Sequence, residues 1–92
     1  MRLEIVSPEA TLFSGEVNSV AVPGADGAFQ ILDNHAPIVS ILHSGTVKIG
    51  GKISLPDETA HHFNQQGDDT FLEIPNGGTL EMQQNKVVLL AD

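Results

Sequence analysis

Two turn signals and a rigid corner lie close together in residues 22–37, and this stretch constrains the fold more than any other. Pro23-Gly24 and Asp26-Gly27 are both turn dipeptides, because proline presets φ and glycine accepts positive φ. The strand before this loop must therefore reverse, and Phe29–Leu32 can run back beside it. Ala36 precedes a proline, which restricts it to extended geometry. The sequence thus predicts a tight loop, a short strand and a rigid corner in quick succession.

Short apolar segments between turn residues make up the rest of the chain as well. Leu3–Ile5 and Thr46–Ile49 alternate apolar and polar residues, which is typical of strands with one buried face. The four aromatic residues are all Phe, so the core must be built from Val, Ile and Leu, which suit pleated strands. The sequence predicts an all-β fold, a flattened β-sandwich or barrel of about eight to ten short strands. We expect a single domain over residues 1–92 with no carboxyl-terminal helix hairpin.

Irregular spacing predicts several local features before the carboxyl third. Apolar residues at positions 17, 20 and 22 indicate one extra residue in a strand, and so a β-bulge near Asn18-Ser19. Ser14-Gly15 is expected to form a turn. Ile38–Leu42 alternates poorly, which predicts a strand or short turn covered on both faces. In the polar segment that follows, Ile53 and Leu55 extend the preceding strand.

The remaining predictions concern the segment from residue 56 onwards. Pro56–Thr59 should form a turn, and Ala60–Phe63 is expected to form a short edge strand. Asn76-Gly77 is a preferred type I′ pair, so it should close a hairpin that joins two neighbouring strands. Those strands are Phe71–Ile74 and Leu80–Met82. The segment from Val87 to Ala91 is apolar on both faces, which predicts a central strand covered on each side.

Charge and composition exclude several classes of function. Twelve acidic residues against four basic ones give a net charge of −8, which repels phosphate backbones and anionic lipids, so nucleic acid is not an expected partner. The chain has no cysteine, which excludes disulfides and thiolate chemistry. No stretch has the length or pattern of a signal peptide or a membrane span. Gly-x-Ser-x-Gly and phosphate-loop motifs are missing, so the sequence predicts no enzyme activity and no cofactor.

The histidines support one alternative, a stand-alone β-barrel of cupin type that binds a ligand or metal. His35, His43 and Glu81 are the conceivable ligands. Spacing argues against it, because His61 and His62 are adjacent and would point to opposite faces of a strand. No His-x-His pair occurs to begin a metal site. We therefore predict no bound metal, with His61 and His62 exposed and His35 holding a turn by a hydrogen bond.

Short motifs occur in a fixed order along the whole chain, and together they resemble the epsilon subunit of F-type ATP synthases. In the amino-terminal half they are Val6-Ser-Pro-Glu9, Leu12-Phe-Ser-Gly15, Val22-Pro-Gly24, Asp26-Gly27, Ile31 and His35-Ala-Pro37. In the carboxyl-terminal half they are Gly77-Gly78, Leu80-Glu81, Asn85-Lys-Val87 and Leu90-Ala-Asp92. The resemblance covers residues 3–92 and is to the amino-terminal β domain of that family.

The resemblance implies a non-catalytic subunit of the central rotor that couples the gamma subunit to the membrane c-ring. It implies a location at the cytoplasmic face of the bacterial membrane, with membrane contact only through the complex and a monomer when isolated. Ser7, His35 and Ser40 would face gamma. The residues implied to lie towards the c-ring are Gly24, Ala25, Asp26, Gly27, Ala28, Gln30, Leu32, Asp33 and Asn34.

Four features depart from the family pattern. Ala28 stands where many relatives have an acidic residue, so that polar contact with the ring is not expected here. Asp33-Asn34 replaces the usual Pro-Gly or Pro-Asn before His35, which would loosen the corner. Residues 50–69 are longer than the usual hairpin. The sequence ends at Asp92 without the two-helix arm of many members, so the inhibition and ATP binding of that arm are not implied.

Overall fold

The computed structural model describes all residues, 1–92, and contains ten β-strands. They are β1 (Arg2–Val6), β2 (Thr11–Glu16), β3 (Ser19–Val22), β4 (Phe29–Leu32), β5 (Ile38–Leu42), β6 (Gly45–Gly50), β7 (Phe63–Gln66), β8 (Asp69–Ile74), β9 (Gly78–Gln83) and β10 (Lys86–Ala91). The only helical segment is a 3₁₀ turn at Ala60–His62. No helical segment has the length and hydropathy that a membrane-spanning helix needs.

Two five-stranded sheets form a β-sandwich, which confirms the predicted fold class. The first sheet has the order β2-β1-β10-β9-β5, and the second has the order β4-β3-β6-β8-β7. Period-two alternation buries one face of each strand, for example Leu3 and Ile5 on β1 and Val47 and Ile49 on β6. Eighteen buried hydrophobic residues from both sheets form one cluster. Each aliphatic side chain removed from water there contributes about 1.5–3 kcal/mol.

The predicted β-bulge near Asn18-Ser19 is wrong, because the chain changes sheets there instead. β2 ends in the first sheet at Glu16, and β3 begins in the second sheet at Ser19. The N–H of Val17 still donates to the Met1 carbonyl at 2.9 Å, whereas the next N–H, of Asn18, already donates to Gly50 at 2.8 Å. The irregular spacing therefore marks a crossing between the two layers.

A β-bulge lies one strand earlier, in β2, and the turn predicted at Ser14-Gly15 is wrong as well. β2 runs straight through these two residues, which pair with β1. The β1–β2 register shifts so that Ile5 lies opposite Phe13 and Val6 opposite Thr11. Leu12 is therefore the extra residue, and both Leu12 and Phe13 are buried.

The Asn76-Gly77 pair does not close a hairpin, so this prediction is also wrong. It carries the chain from β8 in the second sheet to β9 in the first. Only Gly77 has a positive φ, of 66°, whereas a type I′ turn needs positive φ at both central residues. The pair that meets this requirement is Gln84-Asn85, with φ of 50° and 58°, and it joins β9 to β10.

The segment between β6 and β7 covers part of the core instead of lengthening a strand. Ile53 and Leu55 lie outside any strand, contrary to prediction, but both pack against the core. The predicted turn over residues 56–59 is confirmed by the N–H of Thr59, which donates to the Pro56 carbonyl at 3.1 Å. The edge strand predicted at residues 60–63 is wrong, because a 3₁₀ turn occupies residues 60–62 and β7 begins at Phe63.

The two strands that are apolar on both faces differ in position. β10 is central in the first sheet, as predicted, but its Leu90 is 46% exposed. β5 is an edge strand of the same sheet, with Val39 76% and Ile41 67% exposed. The prediction that β5 is covered on both faces is therefore wrong, and one face of both strands is uncovered in the isolated chain.

Candidate functional site

The loop between β3 and β4 is fixed to the end of β5, where the edges of the two sheets meet. Gly24 forms an isolated β-bridge with Leu42. A Cβ atom on Gly24 would lie 2.6 Å from the Gly27 carbonyl oxygen, so the loop needs glycine at this position. Asp26–Ala28 is exposed at the tip of the loop. The loop therefore presents a short segment of main chain and small side chains at a defined point.

The corner that follows β4 is held by a network of hydrogen bonds. The Met1 amino group donates to Asp33 Oδ1 at 2.9 Å, and Asn85 Nδ2 donates to the same oxygen at 3.0 Å. Asn85 Oδ1 accepts the N–H of Asn34, which has a positive φ, at 2.7 Å. His35 Nδ1 lies 2.7 Å from the Ala36 carbonyl oxygen. This network joins the start of β1, the β4–β5 corner and the β9–β10 turn.

The ion pair in this corner changes the acidity of both partners. The hydrogen bond from Met1 holds the pKa of Asp33 below its ordinary value of 3.8, and the bond from Asn85 adds to the effect. In turn the Asp33 carboxylate raises the pKa of the Met1 amino group above 8.0. Glu16 contributes through an oxygen 3.5 Å from the same nitrogen. The pair therefore favours the charged forms of both groups.

The residues predicted to face the c-ring occupy the two ends of one edge strand. Gly24–Ala28 lies at one end of β4 and Asp33-Asn34 at the other, about 17 Å apart for a strand of this length. Gln30 and Leu32 are exposed along the strand between them. β4 is an edge strand of the second sheet, so the set forms a narrow strip and not a compact cluster.

The residues predicted to face gamma do not form one cluster either. Ser7 directly follows β1, and Ser40 lies on β5. The strands β10 and β9 lie between β1 and β5, which places the two serines about 15 Å apart. Ser40 is paired with Leu80, so its side chain points to the core side of the sheet and is half-buried. His35 lies in the corner before β5. The Ser7 hydroxyl donates to the Ala10 carbonyl at 3.2 Å and closes a local turn.

An apolar surface that sequence reasoning missed lies on the outside of the first sheet. Strand register places five side chains on this face, and we call them the apolar outer face: Val6, Val39, Ile41, Val88 and Leu90. Three of the four exposed large hydrophobic residues of the chain belong to it; the fourth, Leu32, lies on β4. The signal was present in the two-sided apolar pattern of β5 and β10. Thr79 and Glu81 of β9 lie between the β5 and β10 members, so the apolar side chains form two groups on one face. Large hydrophobic side chains gathered on one face in this way are typical of an interaction site.

The alternative of a metal or ligand site is not favoured. His35 and His43 lie beyond opposite ends of β5, and Glu81 points outward from β9. The structure contains no group of three or more His, Cys, Asp or Glu side chains that could hold a metal ion. His61 and His62 are exposed, and their rings stack with centroids 4.1 Å apart.

Comparison with known families accounts for the fold and the motif order together. The family model described as the ATP synthase delta/epsilon chain β-sandwich domain matches residues 1–92. The chain belongs to the ATP synthase delta/epsilon chain family. The curated relatives that match are ATP synthase epsilon chains, which are not the catalytic subunit of that complex.

Curated epsilon chains resemble this chain along its full length. The ATP synthase epsilon chain of Chlorobium limicola is 40% identical over 91 residues, covering 99% of this chain and 88% of the relative. That of Chlorobaculum tepidum is 42% identical over 90 residues, covering 98% and 86%. That of Desulforamulus reducens is 38% identical, covering 99% of this chain but 58% of the relative. The chain thus spans between about three fifths and nine tenths of the epsilon chains compared.

A solved structure of the central stalk and c-ring of Tetrahymena thermophila mitochondrial ATP synthase contains the same fold. The superposition has a TM-score of 0.71 at 12% identity and covers 98% of this chain and 61% of the matched chain. At this identity the match concerns the fold alone. The epsilon-type β-sandwich is therefore supported both by sequence and by structure.

Proposed function

We propose that this chain is the β-sandwich of an epsilon subunit in the central stalk of an F-type ATP synthase. It links the gamma subunit to the membrane c-ring and turns with them, while catalysis takes place in other subunits. It is held at the cytoplasmic face of the bacterial membrane through the complex and has no bilayer contact of its own. Family membership along residues 1–92 supports the assignment.

The apolar outer face is the observation that carries this proposal. Val39 and Ile41 expose 76% and 67% of their surface on an edge strand, and Leu90 exposes 46% two strands away. A stalk subunit must bind its neighbours firmly enough to turn with them, and a partner that covers these side chains removes them from water. Each one buried contributes about 1–2 kcal/mol. We therefore assign gamma to this outer face, from which the Ser40 side chain points away.

The c-ring contact is assigned to the β3–β4 loop and the exposed edge of β4. The loop tip, Asp26–Ala28, projects from a base that is fixed to the end of β5 by the Gly24–Leu42 bridge. A rigid loop loses little conformational entropy when it binds. Ala28 provides no charge at the position where many relatives are acidic, so this contact depends on main chain and on the neighbouring Asp26. The two assigned partners thus lie on different surfaces of the sandwich.

The assignment can be tested by calorimetric titration of the purified chain into a complex that contains gamma from the same cell. The double variant Val39→Ser/Ile41→Ser should weaken binding by about 2–4 kcal/mol, because two large side chains no longer leave water. Leu32→Ser is the matched control, since Leu32 is 54% exposed but lies on the second sheet. It should leave gamma binding unchanged and weaken retention on isolated c-rings. Equal effects of both variants on gamma binding would contradict the assignment.

A further inference from the structure

A carboxylate lies inside the apolar outer face. Glu81 on β9 is paired with Val39 of β5 on one side and Val88 of β10 on the other. Adjacent strands are about 4.8 Å apart, so aliphatic side chains flank Glu81 within about 5 Å on both sides. Glu4 lies in the same row, directly beyond Val88. Neither Glu81 nor Glu4 has a salt-bridge partner in the chain.

A partner that covers Val39 and Val88 must also cover Glu81, because it stands between them. Moving an ionised carboxylate out of water costs several kcal/mol unless a cation or hydrogen-bond donors meet it. The chain supplies no such group beside Glu81 on this row, which runs Val39, Glu81, Val88, Glu4 and Ser14. The cation that reaches the row is the Arg2 guanidinium, which donates to Ser14 Oγ at 2.7 Å at the far end, three strands from Glu81. Arg2 and Lys86 lie one row away, towards the β9–β10 turn.

We propose that the partner surface covering the apolar outer face presents a Lys or Arg side chain opposite Glu81, surrounded by aliphatic side chains. This inference rests on the proposed function, which assigns gamma to the same face. The ion pair fixes how the two surfaces align, because a shift by one strand or one row would leave both charges buried without a partner. The aliphatic contacts supply affinity, and Glu81 supplies the register.

Charge favours a basic protein surface over the other possible occupants of this face. The chain has a net charge of −8, so two copies repel each other, and an anionic membrane surface repels the chain as well. Two carboxylates on one row, Glu81 and Glu4, add to that repulsion locally. A complementary surface with a cation gains from the same charges.

The sign of the effect of Glu81→Gln tests the proposal. This variant keeps the size of the side chain and removes its charge. If a cation meets Glu81, binding to the gamma-containing complex should weaken by about tenfold or more, and Glu81→Lys should weaken it further. If the covered carboxylate has no cationic partner, Glu81→Gln should strengthen binding, because a desolvation cost disappears. Glu58→Gln, an exposed carboxylate on the segment before the 3₁₀ turn, is the matched control and should bind as the parent does.

Three outcomes would overturn the proposal, and they can be told apart. If Val39→Ser/Ile41→Ser abolishes binding while Glu81→Gln binds as well as the parent or better, the docking face stands and the ion pair is wrong. If the double variant and Glu81→Gln both bind as the parent, the proposed docking face is wrong too. If sedimentation shows a dimer that Ile41→Ser dissolves, or if neutral-lipid vesicles bind the chain through this face, another occupant takes the place of gamma.

Discussion

Replacement of Thr59 by Val should destabilise the fold although the two side chains have almost the same shape. Thr59 is 7% exposed, and its Oγ1 donates to the Leu12 carbonyl at 2.7 Å across 47 residues of chain. Leu12 is the bulged residue that has no partner in the β1 register. Valine has no hydroxyl, so the buried Leu12 carbonyl loses the hydrogen bond that Thr59 donates. An unsatisfied buried acceptor costs about 1–3 kcal/mol, which is the expected loss in the free energy of unfolding.

Urea denaturation followed by far-UV circular dichroism measures this loss, since the chain has neither Trp nor Tyr for fluorescence. With an m-value of about 1 kcal/mol/M for a chain of this size, the midpoint should fall by about 1–3 M. Thr59→Ser keeps the hydroxyl and loses one methyl group, so it should cost only about 1 kcal/mol. Thr46→Val is the surface control, because the Thr46 hydroxyl bonds to Glu73 on the exposed face, and it should change stability by less than about 0.5 kcal/mol. A Thr59→Ser loss as large as that of Thr59→Val would show that the methyl group and not the hydrogen bond carries the effect.

Two further predictions concern pH and backbone strain. The ion pair between Met1 and Asp33 should stabilise the fold fully between pH 3.8 and 8.0; this contribution is lost as pH rises through the raised pKa of the amine or falls through the lowered pKa of the carboxyl. The difference in urea midpoint between the parent and Asp33→Asn at low salt should therefore disappear at both extremes, and a difference independent of pH would contradict this. Gly77→Ala and Gly67→Ala start from nearly equal φ, of 66° and 63°, but only at Gly77 would a Cβ meet backbone, where it would clash with the Leu42 carbonyl oxygen. Gly67→Ala should cost about 1 kcal/mol and Gly77→Ala clearly more, as compared by thermal melting; equal costs would show that the contact is relieved without strain.

Local alternation predicted which residues of a strand face the core, because that depends only on the period of the chain. Leu80 and Met82 are buried on β9 while Glu81 is exposed, as the pattern indicates. The sheet to which each strand belongs was not predictable in the same way. Asn76-Gly77 is a favourable hairpin pair in isolation, but the chain uses it to cross between the layers. That choice is decided by which neighbours bury β8 and β9, and these lie far away in sequence.

For the candidate surfaces too, the features that depend on local sequence were predicted, and those that depend on distant neighbours were not. The turn residues of the β3–β4 loop place it correctly between two strands, because proline and glycine act locally. The apolar outer face was not found, because the sequence of β5 and β10 shows two apolar faces but not what covers the second one. Membership of the epsilon chain family was found from motif order. Only the strand register shows that Val6, Val39 and Leu90 lie on the same outer face.

The two sheets differ on their outer faces, and this difference orients the sandwich within the proposed complex. On the second sheet one outward row consists of Gln30, Ala21, Lys48, Phe71 and Asn64, and most of these side chains are polar. Such a face is stable in water. On the first sheet the outward rows place aliphatic side chains around Glu81. The exposed aliphatic residues on β5 and β10 lie outside the buried core, so they add little to the isolated fold. They become favourable only when a partner covers the first sheet, which leaves the second sheet towards solvent and the β3–β4 loop at the end of the sandwich free for a second contact.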